Sequence, residues 1–444
     1  MVRLRRRCEH SIYNGSPTAT RRHTHIRLAL ILADGILTMA RVVQKFGGTS
    51  LADIDKICDA ARHVQLAVNS GDEVAVVVSA MAGTTNQLVS WTHEISALHD
   101  VHEYDVVVAA GEQVTAGLMA MAIQALGIPA RSWLAWQVPI VTDGVHGKAY
   151  IESIDTTEIS KRLSAGEVAV IPGFQGVGHG DRLTTLGRGG SDASAVALAA
   201  ALGADICNIY TDVDGVYTSD PRIVTKARKL DKIAYEEMLE MASLGTKVLQ
   251  SSAAELAMRH QVVVRVLSSF DSSPGTLLVD EDAIVERQVV SGIAYSRDEA
   301  KITLTGIPDR PGIAASIFGP LSDASVNVDM IVQNASDDGA SADLTFTVGE
   351  ADLDRAIEVI GEVRDLLQYQ ELLSDPNVVK VSVIGVGMRT HAGVAKKMFE
   401  TLAEKGINIQ VISTSEIKVS VLIAEEYTEL ALRSLHSAYD LDDE

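Results

Sequence analysis

The chain has 444 residues, too many for one hydrophobic core, and this length predicts roughly two to four domains. Apolar residues make up 47% of the chain and charged residues 22%, values near those of ordinary globular proteins, so disorder throughout is excluded. The formal net charge of −21 disfavours nucleic acid and anionic membranes as partners, since both attract concentrated lysine and arginine, and small molecules are better candidates.

Three scattered cysteines, Cys8, Cys58 and Cys207, provide neither a disulfide framework nor a zinc motif. No apolar stretch in the sequence reaches the roughly 18 residues that a membrane-spanning helix needs. We therefore expect a soluble protein of a reducing cytoplasm, with no membrane partner.

Residues 1–38 differ in composition from the rest of the chain, with seven arginines and no lysine. A basic start before an apolar run is a feature of signal peptides, but Asp34 interrupts the run and no small-residue cleavage site follows cleanly. The remaining interpretations are a disordered tail or translated sequence upstream of a natural start at Met39. Our hypothesis is a start at Met39, which intact-mass analysis of the protein from its own cells would reject by finding residues 1–38 attached.

The first predicted strand contains Val42 and Val43 and runs into the turn "KFGGTS", residues 45–50. Glycine allows φ > 0 and a close backbone approach, so the turn predicts that another group comes near it. Ser50 stands three residues before Asp53, which is the spacing of a capping box, and apolar residues follow at helical intervals. The sequence therefore predicts a strand, a glycine turn and a helix.

From Arg41 to about residue 285, short runs rich in Val and Ile alternate with alanine-rich helical stretches, which predicts a mostly parallel sheet covered on both faces. The predicted strands after the first are "EVAVVVSA", "DVVVAAGE", "EVAVIPGF", "DICNIYTD" and "QVVVRVLSS". Ligands of such sheets bind beyond the carboxyl ends of the strands. The polar residues that follow each strand are therefore candidate site residues.

The segment "TTLGRGGSDASA", residues 184–195, carries the strongest chemical signal. Its glycines expose backbone N–H groups around Arg188, and Ser191 and Asp192 begin a predicted helix whose N-terminus attracts anions. A plain helix cap is the alternative interpretation of Asp192. Together with "KFGGTS" the chain has two glycine-plus-cation anion sites, a pattern that indicates phosphoryl transfer to an acidic acceptor.

Common nucleotide and metal signatures do not explain this chain. It contains no G-x-x-x-x-G-K-[ST] phosphate loop, and "GVGHG" and "GVGMRTHAG" are only weak echoes of the dinucleotide pattern. A calcium loop starting at Asp212 fails because Tyr217 and Ile223 stand where glycine and glutamate are needed.

Residues after about 286 contain an internal repeat at an offset of 81, as between Gly312 and Gly393 or between Asn327 and Asn408. Each copy is predicted to form a strand, a glycine-containing loop, an amphipathic helix and a further strand. Two small structural domains are one interpretation, but a duplicated module behind a larger α/β domain favours regulation by a small polar ligand.

"KFGGTS", "VVVSAMAGTTN", "LTTLGRGGSD", "YTDVDGVYTSDPR" and the tandem repeat with "DRPG" and "NVDMIVQN" together resemble the aspartate kinases of the amino acid kinase superfamily, over residues 41–444. The resemblance implies a three-layer αβα kinase domain with a mostly parallel sheet over 39–285. Two ferredoxin-like ACT modules would follow, over 286–372 and 373–444. The implied reaction converts L-aspartate and ATP to 4-phospho-L-aspartate and ADP with Mg²⁺, as the first step towards lysine, threonine and methionine.

Roles carried over from this resemblance fall into catalytic, acceptor and nucleotide groups, and no residue is assigned to a metal. Lys45 would hold the transferring phosphoryl group, with room and donors from Gly47 and Gly48, and Asp192 would orient Lys45. The positions that match aspartate-binding residues are Ser79, Thr85, Glu112, Phe174 and Arg188, of which Arg188 would pair with the α-carboxylate and Glu112 would read the amino group. The positions that match nucleotide contacts are Thr211, Asp212, Tyr217, Arg222 and Lys247.

The chemistry agrees with a site that lacks a catalytic histidine or cysteine. The attacking carboxylate, with a reference pKa of about 3.9, is already ionised at neutral pH and needs no strong general base. Positioning and charge neutralisation then carry the catalysis. We interpret His146 in "TDGVHGK" as a surface histidine.

One stretch departs from the family pattern. After Lys247 the family often has Leu-His-Pro-Arg, whereas this chain has Leu249, Gln250, Ser251 and Ser252. The change removes a positive charge and puts in doubt a local nucleotide or domain contact from this stretch.

For the ACT modules the resemblance implies feedback control by lysine, threonine or both. The matching effector positions are Asp309, Gly312, Gln333, Asn408, Ser415 and Glu416, although Asp309 could simply shape its loop and Asn408 could cap a turn. Pairing of modules predicts an oligomer. A homodimer competes with an α2β2 assembly, since an internal start near Met241 could yield a separate regulatory subunit.

Two competing functions come from the same residues. A related kinase could act on glutamate or another acid, which substrate profiling would reveal. A catalytically silent amino acid sensor would have lost key site residues, but Lys45, Arg188, Asp192 and Lys247 are all present.

Overall fold

A computed structural model describes residues 39–96, 98–187, 189–245, 248–284, 288–336, 339–391 and 393–442. The extension 1–38, with the hypothesis about its origin, lies outside the described residues. So do two predicted site residues, Arg188 and Lys247.

Residues 41–279 form an α/β domain with twelve strands and eight α-helices in its described part. The strands are β1 (Arg41–Phe46), β2 (Glu73–Val78), β3 (Ala130–Ser132), β4 (Ile140–Thr142), β5 (Ile151–Ile154), β6 (Val168–Pro172), β7 (Gln175–Val177), β8 (Leu183–Thr185), β9 (Ile206–Thr211), β10 (Lys232–Ala234), β11 (Val264–Ser268) and β12 (Thr276–Val279). The helices are α1 (Ile54–Asn69), α2 (Thr84–Ile95), α3 (Val101–Val108), α4 (Ala110–Ala125), α5 (Thr157–Ser164), α6 (Gly190–Leu202), α7 (Tyr235–Ser243) and α8 (Ser251–His260).

Eight strands form the main sheet in the order β10-β12-β11-β9-β1-β2-β6-β3. All its described neighbours are parallel except β11 and β12. Helices α1 and α4 cover one face, and α5 to α8 cover the other, so the strands are apolar on both sides. This confirms the predicted three-layer fold with a mostly parallel sheet. Strands β4, β5, β7 and β8 form a smaller sheet beside it.

One predicted strand is wrong. The run "DVVVAAGE", residues 105–112, is helical, because it forms the end of α3 and the start of α4. Asp100 caps this segment by accepting hydrogen bonds from the N–H groups of His102 and Glu103. A short apolar run does not distinguish a buried strand from a buried helix. In this segment the N-cap at Asp100 favours the helix.

The predicted capping box at Ser50 is also wrong. Residues 49–51 form a short 3₁₀ turn, and α1 begins only after Asp53, whose side chain accepts from the N–H of Lys56. Ser50 instead accepts a hydrogen bond from Ser269 Oγ at 2.6 Å, which joins the turn after β1 to the end of β11.

The C-terminal region contains two modules, each with a four-stranded antiparallel sheet. Its strands are β13 (Gly292–Ser296), β14 (Ala300–Pro308), β15 (Val328–Ala335), β16 (Ser341–Val348), β17 (Glu371–Asp375), β18 (Val378–Ile384), β19 (Val411–Thr414) and β20 (Lys418–Ala424). Its helices are α9 (Ile313–Asp323), α10 (Leu353–Glu362), α11 (Arg364–Leu367), α12 (Val394–Glu404) and α13 (Thr428–Ala438). Helices α9 and α12 lie at the repeat offset of 81 residues.

The two modules are nested along the chain. The first has the antiparallel sheet β15-β16-β14-β17, and the second has β13-β18-β20-β19. Both follow the ferredoxin-like order, but the fourth strand of the second module, β13, precedes the whole first module. Residues 292–296, which the sequence assigned to the first module, therefore pair in the second.

One helical segment, Val101–Ala125, is long and apolar enough to span a membrane by composition, although we predicted none. Half of its most apolar stretch is buried within the fold, and the core helices of globular proteins have the same length and composition. Its interior positions include the carboxyl groups of Asp105 and Glu112, which are 0% and 3% exposed.

Candidate active site

An ion pair between Lys45 and Asp192 lies at the carboxyl end of the central strand. Lys45 is in β1, Asp192 is in the first turn of α6, and their Nζ and Oδ1 atoms are 2.6 Å apart. Both side chains are 10% exposed, so water screens their attraction little. Cys207 lies nearby, and burial, followed by the charge of Asp192, raises the pKa of its thiol. This cysteine therefore stays neutral and is no nucleophile.

The turn after β1 requires glycine at position 48 because the backbone packs closely there, and not because this residue has a positive φ. Gly48 is in the right-handed helical region, and a Cβ atom on it would lie 3.0 Å from the carbonyl oxygen of Ala80. The N–H of Gly47 donates to the carbonyl oxygen of Tyr210 at 3.1 Å, so this predicted donor is already engaged. Gly48 N–H, by contrast, donates to no other described residue.

Glu112 presents a carboxyl oxygen without a partner. Its Oε1 accepts from the N–H of Ala80 at 3.0 Å, whereas its buried Oε2 has no hydrogen-bond partner. Burial raises the pKa of Glu112 to about 7, and the Ala80 hydrogen bond opposes this rise only in part. Ala80 follows Ser79, and a Cβ on Gly111 would meet Ala80 Cβ at 2.8 Å. The loop after β2 and the start of α4 are thus in contact. Glu112 Oε2 remains available to accept a hydrogen bond from a cationic donor.

Phe174 adopts a strained backbone conformation, with φ of 69°. Its N–H donates to Ser194 Oγ at 3.0 Å, and its carbonyl oxygen accepts from Leu186 N–H at 2.9 Å. A Cβ on Gly190 would lie 3.0 Å from the Phe174 ring. A non-glycine residue in this region persists only where its surroundings hold it, and such strain concentrates at functional sites.

The glycine loop reverses direction through two left-handed residues. Gly187 and Gly189 have φ of 74° and 77°, on either side of Arg188, whose own placement is not described. A Cβ on Gly189 would lie only 2.0 Å from Gln250 Cγ. Gln250, which departs from the family pattern, therefore packs on the glycine loop and precedes α8 as its N-cap residue.

The predicted nucleotide residues are only partly brought together. Thr211 ends β9, and its hydroxyl donates to Asp212 at 3.2 Å. Tyr217 donates to Asp214 at 2.9 Å, and Lys229 pairs with the same carboxylate at 3.2 Å.

Arg222 has a different setting from the other predicted nucleotide residues. Its side chain is 85% exposed and pairs with Asp220, which also accepts from Tyr295 of β13. No described contact joins Arg222 to Thr211 or Tyr217.

The predicted effector residues lie on the surfaces of the two modules. Asp309 and Gln333 meet at 3.4 Å in the first module, next to Gly312, which starts α9 with φ of 93°. The remaining residues, Asn408, Ser415 and Glu416, are exposed in the second module. Glu416 is 3.5 Å from Arg389.

A buried cluster behind the glycine loop was missed by sequence reasoning. His146 is not a surface histidine: its ring is 11% exposed, and its Nδ1 lies 2.6 Å from the fully buried carboxylate of Asp105. Thr185 Oγ1 donates to the other oxygen of Asp105 at 2.5 Å. A pairing of residues 41 positions apart leaves no local pattern. The only sequence feature that pointed to His146 was its place in the "TDGVHGK" motif.

Lys229 and the amide pair of Gln113 and Gln175 were missed as well. Gln113 Nε2 donates to Gln175 Oε1 at 3.1 Å, and Gln175 Nε2 donates to the carbonyl oxygen of Ala109. These residues directly follow Glu112 and Phe174, so the pair links two predicted acceptor-binding segments.

Comparison with known proteins gives a consistent assignment along the chain. A model of the amino acid kinase family matches residues 40–268, and a model of the ACT domain matches 302–363 and 381–439. The aspartokinase of Pseudomonas aeruginosa is 54% identical over 406 residues, covering 91% of this chain and 98% of that protein.

Two crystal structures of E. coli aspartokinase III are similar at 27% identity. The complex with aspartate and ADP, in the R-state, has a TM-score of 0.75 and covers 89% of this chain and 99% of that chain. The complex with lysine and aspartate, in the T-state, has a TM-score of 0.71 and covers 89% and 98%.

Proposed function

The chain belongs to the aspartate kinases, and from this membership we propose that it transfers the γ-phosphoryl group of ATP to the side-chain carboxylate of L-aspartate. A carboxylate oxygen of aspartate attacks the γ-phosphorus as the bond to the β,γ-bridging oxygen breaks. The products are 4-phospho-L-aspartate and ADP. The similar E. coli structure that holds aspartate and ADP supports this choice of substrates.

The observations that carry the proposal are the buried Lys45–Asp192 pair and the unpartnered buried oxygen of Glu112. Lys45 supplies a positive charge for the transferring phosphoryl group, and Asp192 holds its ammonium group in place. Glu112 Oε2 accepts from the ammonium group of aspartate, with Ser79, Thr85 and Phe174 around the same pocket. Arg188 is proposed to bind the α-carboxylate.

ATP is proposed to bind at the ends of β9 and β11, where Thr211, Asp212 and Tyr217 lie. Lys247 and Arg222 keep their proposed nucleotide role from the family resemblance alone. Mg²⁺ is proposed to arrive with the nucleotide, since this ion is often held through substrate phosphates and few carboxylates. Within the described ranges, no cluster of three or more His, Cys, Asp or Glu side chains forms a metal cage.

Regulation is proposed to act through the ACT modules, with lysine, threonine or both as effectors. The similar E. coli structure holds lysine together with aspartate in a T-state, which supports an amino acid effector. Asp309, Gly312 and Gln333 are the proposed contacts in the first module, and Asn408, Ser415 and Glu416 in the second. We further propose a cytoplasmic location and a homodimer or α2β2 assembly.

The test is ATP- and Mg²⁺-dependent formation of an acyl phosphate, trapped with hydroxylamine as aspartyl hydroxamate. Lysine and threonine are titrated singly and together, with L-glutamate as the competing acceptor. Hydroxamate from aspartate that disappears only with both effectors supports the reaction and concerted control. Product insensitive to both amino acids redirects the ACT modules to other ligands. No product from aspartate, in protein shown to be folded, rejects the proposed activity in favour of another acid or a silent sensor.

A further inference from the structure

The carboxylate of Asp105 joins three elements in the interior of the kinase domain. Asp105 is in α3 and is 0% exposed. Its Oδ1 accepts from Thr185 in β8, and its Oδ2 accepts from His146 Nδ1 and from the N–H of Gly147 at 3.2 Å. A buried carboxylate requires such donors, because burial otherwise penalises its charge. The cluster therefore fixes α3, β8 and the turn between β4 and β5 relative to one another.

One side of this cluster supports the glycine loop. Thr185 is the last residue of β8, two residues before Gly187, and its carbonyl oxygen accepts from the N–H of Ala149 at 2.9 Å. Gly187 itself lies against the β4–β5 turn, since a Cβ on it would be 3.2 Å from the carbonyl oxygen of Gly147. The β4–β5 turn, which bonds to Asp105 through His146 and Gly147, therefore packs directly against the glycine loop.

The other side of the cluster leads to Glu112. Helix α3 continues through Ala109 into α4, and Glu112 is seven residues after Asp105, about two helical turns. Both side chains are buried on the inner side of this helical segment. Asp105 therefore connects the element that carries Glu112 to the loop that contains Arg188.

We propose that Asp105 and His146 are positioning residues that set the distance between Glu112 and the glycine loop, and so shape the pocket for the acceptor amino acid. This inference rests on the proposed function, in which the two ends of that pocket bind the ammonium and α-carboxylate groups of aspartate. Neither residue touches the reacting atoms. None of the described contacts of Asp105 involves Lys45, Asp192 or the end of β9, so the effect is on acceptor binding rather than on ATP binding.

The test compares His146→Ala with His146→Asn, using the hydroxamate assay with each substrate varied in turn. Loss of the imidazole N–H removes one donor to Asp105 and loosens the turn beneath Gly187. Small misplacements of a binding group weaken productive binding strongly, so we expect His146→Ala to raise the KM for aspartate about tenfold or more, with the KM for ATP changed less than about twofold. Asparagine places an amide N–H near the position of Nδ1, and His146→Asn is expected to restore most of the affinity.

His102 is the matched control. Its ring lies 4.1 Å from that of His146 between centroids, with a tilt of 54°, but its side chain is 48% exposed and has its own partner in Asp100. His102→Ala should leave both KM values near wild type. Thermal unfolding of each variant checks that the fold is retained, and Asp105→Asn, which keeps the shape of the side chain, should change the KM for aspartate in the same direction as His146→Ala.

If the wild type makes aspartyl hydroxamate, any one of three results would overturn the inference. They are an unchanged KM for aspartate in His146→Ala, an equal change for aspartate and ATP, and no recovery in His146→Asn. A folded wild type that makes no product from aspartate would overturn the proposed function and this inference with it.

Discussion

Glu112 combines a buried carboxyl group with an oxygen that no protein group satisfies. Burial raises its pKa to about 7, so near neutral pH a substantial fraction is protonated and cannot attract an ammonium ion. We expect kcat/KM for aspartate to fall about tenfold per pH unit below about pH 7, because the ionised form binds the acceptor. Rates measured from pH 5.5 to 8.5 at saturating ATP test this, and in Glu112→Gln the dependence should flatten at a lower kcat/KM. An unchanged profile in that variant would remove Glu112 from acceptor binding.

The same carboxyl group lowers stability at high pH. The folded pKa of about 7 exceeds the ordinary value of 4.5, so the stability that its proton contributes is present below about pH 4.5 and is lost as the pH rises through about 7. Glu112→Gln cannot ionise and should raise the free energy of unfolding at pH 8 by on the order of 3 kcal/mol, with a much smaller gain at pH 5. Urea unfolding at the two pH values measures the difference. Equal gains at both would show that ionisation is not the cause.

Lys45 is the residue whose loss should stop the chemistry without affecting the regulatory modules. Lys45→Ala should reduce turnover to background, while lysine and threonine binding measured by calorimetry stays near wild type, because the ACT modules are separate domains. It also leaves Asp192 buried and unpaired, at a cost of about 3 to 5 kcal/mol. The double variant Lys45→Met with Asp192→Asn removes both charges and should recover stability without activity. Wild-type turnover in Lys45→Ala would exclude the lysine from the mechanism.

At the scale of elements, five of the eight strands of the main sheet were predicted, whereas the short strands β3, β10 and β12 and the helical segment over 101–125 were not. The runs around β2, β6, β9 and β11 are apolar on both faces, which a parallel sheet requires. "DVVVAAGE" has the same composition, but it follows a cap at Asp100 and carries Asp105 into the interior, where only a tertiary partner permits it. Composition cannot reveal such a partner.

The candidate site residues were likewise predictable only where a local sequence pattern determines their position. The strand pattern correctly predicted that Lys45 lies near the carboxyl end of a strand in a parallel sheet, whereas Glu112 was expected to follow a strand and lies in the first turn of α4 instead. The Asp105–His146 pair and the nesting of β13 depend on contacts between distant residues, which no periodicity encodes. Arg222 matched a nucleotide position by motif, yet its described partner is Asp220.

Helix α6 offers a test of the packing between Gln250 and the glycine loop. Gly189 precedes the helix and Gly203 follows it, both with positive φ, but only Gly189 has a neighbour that an added Cβ would strike. Gly203→Ala should lower stability by about 1 kcal/mol from backbone strain alone. Gly189→Ala should cost more, because its Cβ would be 2.0 Å from Gln250 Cγ and 2.6 Å from Gln250 Cβ.

The excess cost of Gly189→Ala over Gly203→Ala, measured by urea unfolding, isolates the contact with residue 250. Adding Gln250→Gly should remove most of that excess, whereas Gln250→Ala should remove less because the Cβ of residue 250 remains. Equal costs for the two glycine variants would contradict the contact.

At the scale of the whole molecule, helix α7 is one of the places where the kinase domain contacts the second ACT module; another is the segment 218–228, where Thr218 bonds to His436. Glu237 in α7 accepts from Ser291 Oγ and from the N–H of Val386, and Glu240 pairs with Lys418 at 2.6 Å. Ile417, between Glu416 and Lys418, belongs to a buried apolar cluster with Val386 and with Ala234, the residue before α7. The proposed effector contacts Ser415 and Glu416 thus adjoin the interface directly.

The chain that follows this helix leads towards the candidate active site. Leu244 follows α7, and the chain then passes Lys247 and reaches Gln250, which packs on Gly189 of the glycine loop. A shift of the second module at α7 therefore reaches the loop proposed to bind the acceptor through the chain from Ser243 to Gln250 and then through the packing of Gln250 on Gly189. If this path carries coupling free energy, a substitution at the contact between α7 and the second module should weaken inhibition.

Lys418→Met supplies that test, because it breaks the pair with Glu240 and keeps the length of the side chain. Coupling residues commonly change the free energy of coupling by about 0.5 to 2 kcal/mol, so the lysine-plus-threonine concentration for half-inhibition should rise roughly two- to thirtyfold. The uninhibited kcat should stay near wild type, since Lys418 lies outside the kinase domain. Lys396→Met is the matched control, because Lys396 pairs with Glu400 on the surface of α12 in the same module and forms no ion pair with the described residues of the kinase domain. If both variants shift inhibition equally, or neither does, α7 does not transmit the effector signal through this ion pair.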